Sequence, residues 1–168
     1  MNENYVFSTG SFHAELYHLA FLGKFLAEVV KVQSLPEVAQ ILNKSRQAVC
    51  YMFKKDEMNL DDVVKIIEFY GYEIDFSYKT KEEVKHDTRA KVNIILDVPE
   101  KPVRRMDFVK NAIKEANLSM RKIYEVTRVA NSTMNKRFEA DSCPISMFYQ
   151  LAEAFNWELN IKFTKKIS

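Results

Sequence analysis

The sequence predicts a mainly α protein made of two related units in tandem, each closing in a short β-strand, and three observations carry that expectation. Glycine (3) and proline (4) are scarce among 168 residues while Lys, Glu, Leu and Ala recur, a balance that favours helices joined by short turns over a sandwich or barrel. A hydrophobic fraction of 47% is ample for a packed core. Residues 34 to 78 also superpose on residues 119 to 163 without a gap, at a constant shift of 85. Leu35 falls on Met120, Val38 on Ile123, Val49 on Met134, Phe53 on Phe138, Leu60 on Ile145, Ile66 on Leu151 and Phe76 on Ile161. Apolar position meets apolar position, the signature of an internal repeat.

Each element follows from local signals. A longer helix precedes each unit, from roughly Phe12 to Lys31 and from about Met106 to Ala116. Ser34 is placed to cap the next helix, with Pro36 in its first turn and Glu37 at capping-box spacing, and Ser119 repeats the cap position. That helix runs to about Leu42 and ends at Asn43, a residue that tolerates the left-handed conformation; Ser45 then caps a helix from 46 to about 54. Beyond the polar turns KDEMN and EADSCP, a further helix starts near Leu60 and near Ile145. Its apolar residues recur every three or four positions, through Val63, Val64 and Ile67 and through Phe148, Leu151, Ala152 and Phe155. The period then drops to two at Ile74, Phe76 and Tyr78 and at Leu159, Ile161 and Phe163, which predicts a half-buried strand at the end of each unit. These strands need partners: each other, another chain, or a strand at Val92, Ile94, Leu96 and Val98. The connector has a charged first half, a strand-like centre and a proline-marked end, so the division expected is 1–80, 81–105 and 106–168.

Charge is distributed unevenly. The net charge of +2 is too small to diagnose a partner, but residues 44 to 55 carry Lys44, Arg46, Lys54 and Lys55 and no acid. The following stretch, 56 to 75, carries Asp56, Glu57, Asp61, Asp62, Glu68, Glu73 and Asp75 against Lys65. One segment suits an anion and the next would repel it. In the corner between the two short helices, Ala39 is small where helices approach closely, and Val38, Leu42, Val49 and Phe53 fill the angle. Ser45, Arg46, Gln47, Cys50, Tyr51 and Lys54 are left outward, a short basic face of the size that fits a major groove. Gln47 suits an adenine edge and Arg46 a guanine or a phosphate, with Ser45 and Lys54 on backbone phosphates.

The stretch SLPEVAQILNKSRQAVCYMF resembles the helix-turn-helix of the lambda-repressor and Cro-like, or XRE-type, family of DNA-binding proteins, with Asn43 where that family usually has glycine. The helix and strand LDDVVKIIEFYGYEIDFSYK look like those of its antitoxin and phage-regulator branch, and the resemblance covers about 12 to 79. It implies a sequence-specific transcriptional regulator that binds double-stranded DNA, and with the repeat it implies two tandem helix-turn-helix units; the two widely separated cysteines fit a reducing, cytoplasmic compartment. The second unit keeps the outline, with Val129, Met134 and Phe138 as core and Asn131, Ser132, Thr133, Asn135 and Lys136 outward. Arg121, Lys122 and Arg137 add positive charge to it. Tyr124 replaces the small residue and Arg128 the turn residue, departures that predict a wider corner.

Other classes find little support. No glycine-rich phosphate loop, nucleophile elbow or convergent set of acids and histidines is present, so neither an enzyme nor a cofactor is expected. His13 and His18 are five apart, outside the three or four that a helical metal pair needs, and Cys50 and Cys143 lack ligand or disulfide spacing. The opening MNENYVFSTGSFH has no basic segment and no long apolar run, so neither export nor membrane insertion is expected. Two recognition helices would come from a homodimer or from the chain's own internal pseudo-dimer. The alternative is a protein-interaction or assembly component in which YHLAFLGKFLAEVV is exposed to a protein partner.

Overall fold

Asn43 and Asp56, both left-handed, mark where the two helices over 35–42 and 46–55 stop (φ 52° and 56°). The computed structural model describes residues 4–8, 17–31, 34–80 and 104–167. It is mainly helical, and its strands form one antiparallel sheet. In chain order the elements are β1 (Asn4–Ser8), α1 (Ala20–Lys24, continued by a π turn over Phe25–Val29), α2 (Leu35–Leu42), α3 (Arg46–Lys55), α4 (Leu60–Phe69) and β2 (Tyr72–Thr80). They are followed by α5 (Asp107–Glu115), α6 (Met120–Thr127), α7 (Asn131–Ala140), α8 (Ser146–Ala154) and β3 (Trp157–Lys165).

β2 and β3 pair with each other along their full length, from Tyr72 opposite Lys165 to Thr80 opposite Trp157. β1 lines the other edge of β3, Asn4 opposite Thr164, giving the order β1-β3-β2. The strand at β1 was not expected from the sequence. Five residues at the start of the chain are too few for an alternating pattern to stand out, and β1 is held by the edge that β3 offers. The strand expected around Val92 lies outside the described residues, as do His13 and the first part of the expected N-terminal helix.

Among the described residues with positive φ, every one has a counterpart in the other half. Asn43 matches Arg128, Asp56 matches Asp141 and Gly71 matches Asn156 at a shift of 85, and Lys31 matches Asn117 at 86. Further upstream the offset is 87, from the N-cap Leu19 to the N-cap Met106, which share nearly the same backbone angles. The first half therefore holds one extra residue between Leu19 and Lys31. A π turn is the usual way a helix absorbs a single insertion, and one lies there, at Phe25–Val29.

Contacts between the halves obey the same relation. Leu60 N–H donates to the Cys143 carbonyl and Ile145 N–H to the Met58 carbonyl, both at 2.9 Å, around a bridge between Asn59 and Pro144. Asp61 N–H donates to Ser142 Oγ (3.3 Å) and Ser146 N–H to Glu57 Oε1 (3.2 Å). Each bond becomes its partner when the halves are exchanged. In the sheet, Phe76 faces Ile161, its own counterpart. An approximate two-fold axis thus passes through the Asn59/Pro144 and Phe76/Ile161 pairs.

The core is continuous across the axis. Phe21, Leu22 and Phe25 from α1 and Phe148 and Leu151 from α8 are fully buried with Leu159, Ile161 and Phe163 of β3. Phe148 meets Phe76 at 5.0 Å and Phe108 at 4.9 Å between ring centroids, and Phe25 stacks on Phe163 at 4.7 Å. Tyr78 is anchored at the centre by its hydroxyl, which donates to the Phe148 carbonyl (2.8 Å).

Three expectations are corrected here. Tyr17, His18 and Leu19, expected within the N-terminal helix, stand ahead of it: the helix begins at Ala20, and the Asp56 carboxylate accepts the N–H groups of His18 (2.6 Å) and Leu19 (2.9 Å) and fixes the start. Lys31 lies beyond its end, in the left-handed region. Ser34 makes no side-chain cap and the capping box does not close; Glu37 instead lies beside the Tyr70 phenol, which burial first and then that carboxylate push up to about 12. The turn KDEMN is not wholly polar, since Met58 is buried, as is its counterpart Cys143.

Candidate functional site

The corner between α2 and α3 consists of three residues, Asn43, Lys44 and Ser45. Asn43 N–H donates to the Gln40 carbonyl and Lys44 N–H to the Ala39 carbonyl, closing the end of α2 over a left-handed residue. Ser45 Oγ accepts the N–H of Ala48 at 3.1 Å and starts α3. Val38, Ala39, Leu42 and Val49 are buried in the angle, as expected, while Met52 and Phe53 are half-buried.

Ser45, Arg46, Gln47, Cys50, Tyr51 and Lys54 are all exposed. Five of them, Arg46, Gln47, Cys50, Tyr51 and Lys54, line a single open hollow of about 320 Å³. Tyr51 is 55% exposed, high for an aromatic side chain, and Lys55 Nζ lies 4.6 Å from its ring centroid. That cation–π contact biases the ring's position without covering the hollow. The face therefore offers amide, guanidinium, ammonium, thiol and phenol groups and no carboxylate.

The acids that follow α3 do not form an opposing surface. The Asp56 carboxylate is taken up at the start of α1, and Glu57 accepts from the N–H groups of Met58 and Ser146. Asp62, nearly buried, pairs with Lys44 at 3.4 Å; Asp61 pairs with Arg105 at 2.7 Å and Glu68 with Lys166 at 3.8 Å. Lys44 is thereby drawn away from the outward face. Sequence alone did not reveal this, because the partners lie across the fold.

In the second half, Asn131, Ser132, Thr133, Asn135 and Lys136 are likewise exposed on α7, and Met134 and Phe138 are buried. Arg128 takes the left-handed conformation of Asn43 (φ 58°) despite its long side chain. Its N–H bonds the Tyr124 carbonyl (2.8 Å), and Thr127 Oγ1 donates to the Ile123 carbonyl and accepts from Val129 N–H. The threonine supplies a turn contact that the first corner lacks. Tyr124 is 45% exposed where Ala39 is buried, so its bulk points away from the angle. The supporting charges are partly engaged: Arg121 and Lys122 share Glu125, and Arg137 lies 3.4 Å from Met147 Sδ.

Burial pushes the Cys143 thiol up to about 12, with Glu57 and Asp141 adding to it and Arg137 opposing it. Burial also raises the phenols of Tyr78 and Tyr149, the latter donating to the His18 carbonyl while its ring stacks on the His18 ring. Among the described residues, no group of three or more metal-ligating side chains comes together, and no helix is long and apolar enough to cross a membrane. No family model, curated protein or solved structure matches the chain.

Proposed function

We propose that the protein is a sequence-specific reader of double-stranded DNA, acting as a transcriptional regulator through helix-turn-helix units whose first recognition helix is α3. The observation that carries this reading is the outward face of α3, basic and acid-free. It stands at the end of a three-residue, left-handed corner that orients the helix from a buried support. Helices presented this way enter the major groove, where Gln pairs with adenine and Arg with guanine. Lys54 and the hydroxyl of Ser45 serve the phosphates.

The rival reading, a partner-binding aromatic helix, loses its main support. Phe21, Leu22, Phe25 and Leu26 of that stretch are buried inside the fold.

Selection from a random duplex pool tests the proposal. An enriched motif is expected, with affinity falling steeply as salt rises, by a slope of about 0.9 per phosphate neutralised. Gln47→Ala is expected to cost about 1–3 kcal/mol on that motif and to relax preference at one position, and Arg46→Ala to weaken binding further. Equal binding of all sequences, unaffected by either substitution, would overturn it.

A further inference from the structure

We infer that one chain is a complete two-half-site reader: α3 and α7 engage the two halves of one quasi-palindromic duplex, and the halves have different sequences. This rests on the DNA-binding reading above and specifies the operator that such a reader takes. A regulator of this kind ordinarily needs two copies of its fold, related by a two-fold axis that matches the dyad of the DNA. Here the axis lies inside the chain.

The exchange of Leu60 to Cys143 for Ile145 to Met58, and of Asp61 to Ser142 for Ser146 to Glu57, fixes that axis at atomic level. The strand register, centred on Phe76 and Ile161, fixes it again at the sheet. A two-fold rotation leaves height along its axis unchanged, so α3 and α7 stand at the same level on opposite sides. Both are tethered close to it. α3 ends at Lys55, four residues before the bridging Asn59, and α7 ends at Ala140, four before Pro144. An extended chain covers at most about 3.6 Å per residue and a helix rises about 1.5 Å per residue. The middles of α3 and α7 therefore lie at most about 48 Å apart, and successive major-groove half-sites, about 34 Å apart, fall inside that limit. The spacing is held by nine cross-strand residue pairs and a common core, and does not depend on protein concentration.

The symmetry is one of backbone and not of contact chemistry. Arg46 and Gln47 on α3 correspond to Asn131 and Ser132 on α7, and Cys50 and Tyr51 correspond to Asn135 and Lys136. An arginine that suits guanine thus faces, across the dyad, asparagines that suit adenine. Two unlike half-sites follow.

The test uses the full chain: duplex selection, native mass spectrometry of the complex, and repetition of both with Gln47→Ala and with Asn135→Ala, each an exposed substitution outside the core. Expected are a bipartite motif with halves centred about 10 base pairs apart, one chain per duplex, and loss of preference in one half only with each variant, the opposite half each time. Affinity should fall about tenfold in each case. A single half-site indifferent to Asn135→Ala, or a true palindrome occupied by two chains, overturns the inference and leaves the DNA-binding reading standing. No enrichment at all overturns that reading, and this one with it.

Discussion

At the scale of single residues, the two cysteines show how the fold separates chemistry from support. Cys50 stands exposed in the middle of the α3 face, while Cys143 is 3% exposed and its thiol is pushed up to about 12 from the ordinary 9.0. A thiol that holds its proton more tightly in the folded state stabilises the fold fully below the unfolded value, and that contribution is lost as pH rises through the folded one. The buried phenols of Tyr78 and Tyr149 act in the same sense. The urea midpoint is therefore expected to hold between pH 7 and 8.5 and to fall as pH climbs from about 9 toward 12. Circular dichroism across that window checks it, and a midpoint that rises there would contradict the burial argument.

At the scale of elements, helix starts are set by contacts from distant sequence. Asp56 and Asp141, identical residues at matching positions, each hold two N–H groups at the entrance of the preceding helix: His18 and Leu19 for α1, Arg105 and Met106 for α5. Removing such a carboxylate leaves two donors without their acceptor at a helix start. Asp56→Ala and Asp141→Ala are each expected to destabilise by about 1–3 kcal/mol, and Asp56→Asn by less, since asparagine tolerates the left-handed backbone. Chemical denaturation measures both, and a loss at only one of the two positions would break the equivalence of the halves. The same elements show what was legible in the sequence. Apolar spacing located α2, α3, α4 and β2 and their counterparts, and Asn43 and Ser45 marked the corner, because those signals are local. The start of α1, the burial of Met58 and the strand β1 were not legible, since each depends on a partner remote in sequence: Asp56, the Cys143 turn and β3. Of the site, the outward residues were legible by helical phase. The pairing of Lys44 with Asp62, which removes a cation from that face, was not.

At the scale of the whole molecule, a net charge of only +2 conceals an ordered arrangement. Carboxylates at Asp56, Glu57, Asp61, Asp62 and Glu68 serve helix starts, the contact across the axis and ion pairs, so the acid-free face of α3 is not opposed by them. The central claim is that this face lies against duplex DNA, and Cys50 is placed to report on it. The rate of Cys50 alkylation by a small thiol reagent should be measured in the full chain, without duplex and with a saturating selected duplex, with the buried Cys143 as the slow internal reference. The expected result is that the selected duplex slows Cys50 modification by about tenfold or more, that a random duplex at high salt does not, and that the Cys50 adduct no longer binds. Alkylation of Cys50 at an unchanged rate under saturating duplex would place the DNA elsewhere and contradict the assignment of α3 as the reading helix.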